Sequence, residues 1–119
     1  MIHKKLSALL AEEGNVVFGY LFGSYARGDA TPGSDVDLAL FLRDTSLDAR
    51  LALHHRLQKA LKKEIDMVVL NEARNLYLLE HILREGILLK DAPLRAEYEV
   101  DTHHRILDFK AFKRYIDAA

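Results

Sequence analysis

The sequence predicts an α/β domain (α+β in its segregation), with a small mixed β-sheet packed on one side by helices and a further helix at the C-terminus. Three observations lead there. Short runs rich in β-formers, "NVVFGYLF" (15–22), "DVDLALFLR" (35–43) and "EIDMVVL" (64–70), alternate with stretches of helical periodicity. Half of the 119 residues are apolar, which supplies one core and one ordinary domain over residues 1–119. Acidic residues gather at the mouths of the second and third runs, where only one arrangement of strands brings them together.

The elements follow in order. Leu6, Leu9 and Leu10 recur at helical spacing, and Gly14 is placed to stop that helix. Residues 15–22 are too short for a typical helix and read as a strand. "SYARGD" (24–29) is a brief helix and "ATPGS" (30–34) is turn chemistry, punctuated by Pro32-Gly33. Residues 35–43 form the second strand. Over 47–63, Ala49, Leu53, Leu57, Ala60 and Leu61 make one helical stripe. Residues 64–70 form the third strand, 75–85 a helix ending at Gly86, and "ILLKD" (87–91) a short strand or an extended segment.

From Pro93, which suits the first helical position, one pattern runs through Leu94, Tyr98, Thr102, Ile106, Phe109, Phe112 and Ile116. An unbroken helix over 93–117 would span about 37 Å, longer than so small a core is wide. Either a kink folds it back, or part of its stripe docks a partner, such as a second copy or another protein. In the docking case, deleting 105–119 should abolish association and leave the core folded.

Composition removes several functions. Basic and acidic residues number 17 and 18, for a net charge of −1, so a general nucleic-acid binder is not expected. With no cysteine, thiolate catalysis and sulfur-ligated metals are excluded and a reducing compartment is compatible. No apolar run approaches the roughly 18 residues of a membrane span, and the start reads as an amphipathic helix rather than a signal peptide. A soluble, cytoplasmic protein is expected. His54-His55 and His103-His104 are doublets, with His3 and His81 alone. Neighbouring helical residues diverge, so neither doublet makes an i, i+4 ligand pair. Solvated or interfacial histidines are expected, and no zinc site.

The chemistry concentrates in residues 23–37. On a strand, Asp35 and Asp37 point the same way, about 7 Å apart, while Val36, Leu38, Leu40 and Leu42 take the core side. Two such carboxylates repel unless a cation intervenes, and oxygen donors without cysteine favour a hard ion, Mg²⁺ first. Asp66, at the mouth of the third strand, is the natural third member; Glu64 shares its parity but fits less cleanly. Joining these groups requires the first two strands to be antiparallel and the second and third parallel, with helix 47–63 as the crossover. Gly23-Ser24 adds close backbone approach, free amides and a hydroxyl donor, a combination that holds phosphate oxygens. Carboxylates for Mg²⁺ beside an anion cradle fit phosphoryl or nucleotidyl transfer. Arg27 is a further phosphate-contact candidate, with pairing to Asp29 as the alternative.

"GSYARGDATPGSDVDL", that is Gly-Ser, ten residues, then Asp-x-Asp, resembles the signature of the DNA polymerase β-type nucleotidyltransferases. In length and order the chain is similar to the minimal nucleotidyltransferases that serve as antitoxins to HEPN-type toxins. The resemblance implies the nucleotidyltransferase fold, one or two Mg²⁺ ions on Asp35, Asp37 and Asp66, and nucleotide phosphates on Gly23 and Ser24. It further implies ATP as substrate, AMP transferred to a tyrosine hydroxyl of a HepT-like toxin, and Asp66 activating that hydroxyl. Two other functions stay open: an antitoxin that works by masking its partner, and an enzyme that modifies a small alcohol such as an aminoglycoside. A homo- or hetero-oligomer built through the C-terminal helix is compatible with any of the three.

Overall fold

The computed structural model describes residues 2–118. Its elements are α1 (Ile2–Ala11), β1 (Val16–Phe22), α2 (Ser24–Arg27), β2 (Val36–Leu42), α3 (Leu47–Leu61), β3 (Ile65–Val69), α4 (Leu76–Glu85), β4 (Ile87–Lys90) and α5 (Pro93–Ala118). Local chemistry marks the helix starts. The Ser46 hydroxyl accepts from the Ala49 amide ahead of α3, and the Asn75 side chain accepts from the amides of Tyr77 and Leu78 ahead of α4. Each satisfies donors that the first helical turn leaves unpaired. Of segment 87–91, Ile87–Lys90 is a strand.

The four strands lie in the order β3-β2-β1-β4. β1 is antiparallel to both β2 and β4, and β2 is parallel to β3 across the α3 crossover. This is the arrangement the carboxylate positions require. Strand alternation then sorts the side chains into two layers. Val36, Leu38, Leu40 and Leu42 pack with Leu6 and Leu10 of α1 and with Leu53 and Leu57 of α3. Phe18, Tyr20, Phe22 and Ala39 take the opposite face and pack with Leu79 and Ile82 of α4, joined by Tyr98 of α5. Helices therefore cover both faces, one more layer than the single covered side expected. The aromatic residues of β1 are the reason: Phe18 stacks on Phe41 at 5.0 Å and meets Tyr98 at 5.5 Å, so this face also needs cover.

α5 begins at Pro93 and runs unbroken for 26 residues. Of the two alternatives open from the sequence, the kink finds no support: sharp bends form at Pro, Gly or inserted groups, and 94–118 contains neither Pro nor Gly. Thr102 and Ile106 are buried, but Phe112, Tyr115 and Ile116 are 62%, 74% and 54% exposed. Beyond Ile106 the helix is tied to α4 by the Tyr77–Phe109 ring contact, the Lys110–Glu80 ion pair and a 2.8 Å bond from Lys113 Nζ to the Tyr77 hydroxyl. Among the described residues, no helix is long and apolar enough to cross a membrane.

Candidate active site

Register places the acidic residues. Phe22, the last residue of β1, pairs with Asp37 on β2, and Asp37 pairs with Asp66 on β3. These three positions form one row at one end of the sheet, on the side of the sheet facing α4. Asp35 lies two residues earlier, just outside the ladder, with the same parity. The loop leading to it is closed by bonds between Thr31 and Ser34: the Thr31 amide donates to Ser34 Oγ at 2.9 Å and the Ser34 amide to the Thr31 carbonyl at 3.0 Å. The Val36 amide then donates to the Glu64 carbonyl at 2.9 Å, locking the starts of β2 and β3 together.

Asp37 is half-buried, whereas Asp35 and Asp66 are exposed. Burial pushes the Asp37 carboxyl above the ordinary aspartate range; the charges of Asp66 and then Asp35 push it further, against a smaller opposing pull from Arg27. Arg27 also reaches Asp29, its Nε lying 3.2 Å from Oδ2, so the pairing weighed from the sequence is present and the cation still acts on Asp37.

Gly23 stands directly against this carboxylate. Its backbone adopts φ 74°, ψ −152°, a region that essentially only glycine enters. A Cβ there would lie 2.1 Å from Asp37 Oδ2. Space and backbone angle thus both demand glycine. The Gly23 carbonyl accepts from the amides of Ala26 and Arg27, which starts the single turn of α2, and no side chain caps that turn. Ser24 is its first residue.

The donor set fits a hard divalent cation: carboxylate side chains share one corner, and burial and its neighbours hold the Asp37 carboxyl above the ordinary aspartate range. The convergence is partial. Among the described residues, no three carboxylate or imidazole groups close around a single point. Asp37 and Asp66 meet across the strands and Asp35 stands at the rim. Beside Asp35 opens a cavity of about 400 Å³, lined in part by Ser34, Lys62, Lys63 and Glu64. Arg43, near the motif in sequence, bonds the Gly14 carbonyl at the opposite end of β2.

Sequence reasoning missed one residue here. His54, expected to be solvated or interfacial, is engaged with the sheet: its Nε2 lies 2.7 Å from the Ile65 carbonyl oxygen. The available signal was its place on α3, between the buried Leu53 and Leu57.

Residues 4–93 match the family model described as polymerase beta, nucleotidyltransferase. The chain is 39% identical over 69 residues to the protein adenylyltransferase MntA of Shewanella oneidensis, a match covering 56% of this chain and 48% of that protein. The chain thus spans about half the length of this relative. It is 33% identical over 87 residues to a Methanocaldococcus jannaschii protein whose name assigns it adenylyltransferase activity provisionally, covering 72% of this chain and 91% of that one. In three dimensions it is similar to one chain of a crystal structure of a toxin–antitoxin pair with AMP-PNP. There the TM-score is 0.80 at 28% identity, over 99% of this chain and 97% of the other.

Proposed function

Because the chain belongs to the polymerase beta nucleotidyltransferase family, we propose that it transfers AMP from ATP to a tyrosine hydroxyl of a HEPN-type toxin and so neutralises it. The observation that carries this reading is the row Phe22–Asp37–Asp66 with the Gly23 backbone pressed against Asp37. The reading is supported by the two carboxylates and the Gly23 turn sharing one corner of the sheet. The similarity to an adenylyltransferase and to a toxin–antitoxin pair with AMP-PNP supports the choice of nucleotide and partner.

In this reading Asp35, Asp37 and Asp66 hold Mg²⁺, which when bound offsets charge on the triphosphate oxygens. Ser24 Oγ and the uncapped amides at the start of α2 hold the β- and γ-phosphates, and Arg27 exchanges Asp29 for a phosphate oxygen. The toxin's tyrosine oxygen attacks the α-phosphorus; the bond from that phosphorus to the α–β bridging oxygen breaks, and pyrophosphate leaves. Asp66, the exposed carboxylate of the pair, takes the tyrosine proton. The acceptor hydroxyl is brought by the toxin, which docks on the exposed end of α5. The deletion that tests this docking must start later than residue 105, because Ile106 is 3% exposed and belongs to the core.

The test is incubation of the purified chain with its cognate HEPN toxin, Mg²⁺ and α-labelled ATP, followed by mass spectrometry of the toxin. AMP on a toxin tyrosine is the expected result. An unlabelled toxin that is nonetheless neutralised by stoichiometric binding would overturn the reading in favour of masking.

A further inference from the structure

β3 is the edge strand beside Asp37, and its backbone groups alternate in direction. In the parallel ladder with β2, the even-numbered residues turn inward: the Val36 amide donates to the Glu64 carbonyl at 2.9 Å, and the Leu70 amide to the Leu40 carbonyl at 2.8 Å. The odd-numbered residues therefore present their amides and carbonyls to the open edge, where such groups ordinarily meet water or a neighbouring chain.

At Ile65, side chains from two successive turns of α3 meet those groups. His54 Nε2 lies 2.7 Å from the Ile65 carbonyl oxygen, and Gln58 Oε1 accepts from the Ile65 amide at 3.4 Å. A carbonyl only accepts, so the imidazole carries its hydrogen on Nε2. Among the described residues, these are the two side-chain bonds that the outer edge of β3 receives. They fall on the residue immediately before Asp66. The Ile65 carbonyl and the Asp66 amide belong to one planar peptide unit. Fixing that oxygen fixes the plane from which the Asp66 side chain departs. Across the ladder stands Asp37, a second carboxyl that interacts unfavourably with Asp66 when both are charged.

We infer that His54 is a positioning residue for Asp66: its bond to the Ile65 carbonyl holds the third carboxylate in place against Asp37, so that the pair stays set for a divalent cation. The inference rests on the reading of Asp66 given above. Gln58 steadies the same residue through its amide with a longer, weaker bond.

The experiment compares His54→Leu, which removes the donor at similar volume, with His54→Gln, which returns an amide N–H at similar reach. Mn²⁺ binding in the presence of a non-hydrolysable ATP analogue is followed by electron paramagnetic resonance, and AMP transfer to the toxin is followed in parallel. His54→Leu should weaken Mn²⁺ binding about tenfold, at the lower end of what loss of an outer-shell partner does, and lower kcat similarly with little change in KM for ATP. His54→Gln should recover most of both. If His54→Leu does not fold, His54→Asn, whose amide stops short of the carbonyl, takes its place. Asn71→Ala, which loosens the opposite end of the sheet, controls for destabilisation alone and should leave Mn²⁺ affinity unchanged. Wild-type Mn²⁺ affinity in the donor-less variant, or equal loss in the donor-less and Gln variants, overturns the inference. A wild-type protein that binds Mn²⁺ and modifies no toxin would sink the proposed function instead, and the Mn²⁺ comparison would still decide the role of His54.

Discussion

At the end of the sheet where β1 enters and β2 leaves, polar side chains are matched to backbone groups; at the end carrying Asp37 and Asp66, they face like charge. Asn71 bonds both backbone groups of Leu42, accepting from the amide at 2.9 Å and donating to the carbonyl at 2.8 Å. Asn15 does the same for Asp44, at 2.7 and 3.0 Å. Lys90 Nζ donates to the carbonyls of Leu10 and Glu13, closing the end of α1. At the other end His54 and Gln58 match the backbone of Ile65, but the acidic side chains are left against one another: Asp37 is half-buried beside two acids, and Gly23 holds a glycine-only conformation against it. One end contributes stability and the other withholds it. A cation and an anionic nucleotide would complete the second, which is why the unmatched end is where the chemistry is expected.

The largest effect should come from Asp37. Asp37→Asn removes a carboxylate whose ion supplies several kcal/mol of charge stabilisation in such reactions, so AMP transfer should fall by about a thousandfold or more. The same change should stabilise the fold. The Asp37 carboxyl titrates above its ordinary value, so folding favours its protonated form. Its charged form destabilises above that pKa, and the cost disappears as pH falls through it. Asp37→Asn should therefore raise Tm by a few degrees at neutral pH, with the gain vanishing in acid. Thermal melts across pH check the sign; a lower Tm at neutral pH would mean that the carboxylate is already compensated.

Next comes Gly23→Ala. The added Cβ collides with Asp37 Oδ2 and must enter a backbone region costing about 1–3 kcal/mol. Both a lower Tm and a loss of transfer of roughly a hundredfold are expected, the latter because about 2.7 kcal/mol of misplacement corresponds to that factor. Asn71→Ala is the counterpart at the matched end. It leaves the amide and carbonyl of Leu42 short of partners and should cost about 1–3 kcal/mol, read as a lower midpoint in urea. Activity per folded molecule should stay at the wild-type level. If Asn71→Ala lowered activity as strongly as Gly23→Ala, the two ends would not be separable.

These variants also mark what could be read from the chain alone. The pairing of β1 with β2 and of β2 with β3 was legible because Asp35, Asp37, Asp66 and Gly23-Ser24 meet in only one arrangement, and because Val36, Leu38, Leu40 and Leu42 declare one core face. The second helical layer was not. Its contributors (Phe18, Tyr20, Phe22, Leu79, Ile82, Tyr98) are spread over three elements, and no local period connects them. Asn71 was illegible for a related reason, and His54 was legible only as far as its place beside the buried stripe of α3: each acts on a backbone group of a strand distant in sequence, Leu42 and Ile65, and a polar residue gives no sign of which carbonyl it will meet. The continuity of α5 was left open between a kink and an unbroken helix, although a stretch with neither Pro nor Gly offers no ready place to bend.

The smallest effect on stability should follow truncation after Lys110, and it separates α5 from both ends of the sheet. The cut keeps buried Thr102 and Ile106, the Phe109–Tyr77 contact and the Lys110–Glu80 pair. It removes the bond from Lys113 to Tyr77 and the exposed Phe112, Tyr115 and Ile116. An exposed contact of that kind is worth at most about 1 kcal/mol, and surface changes generally fall within about 0.5 kcal/mol, so Tm should barely move. The removed side chains are large and apolar, and a helix face with no cover within its own chain gains most by burial in a partner. Toxin binding, measured by calorimetry, should weaken at least tenfold while Mn²⁺ binding at Asp37 is untouched. A truncated chain that binds toxin normally would move the docking surface off α5, and would leave those three residues exposed for a reason other than this partner.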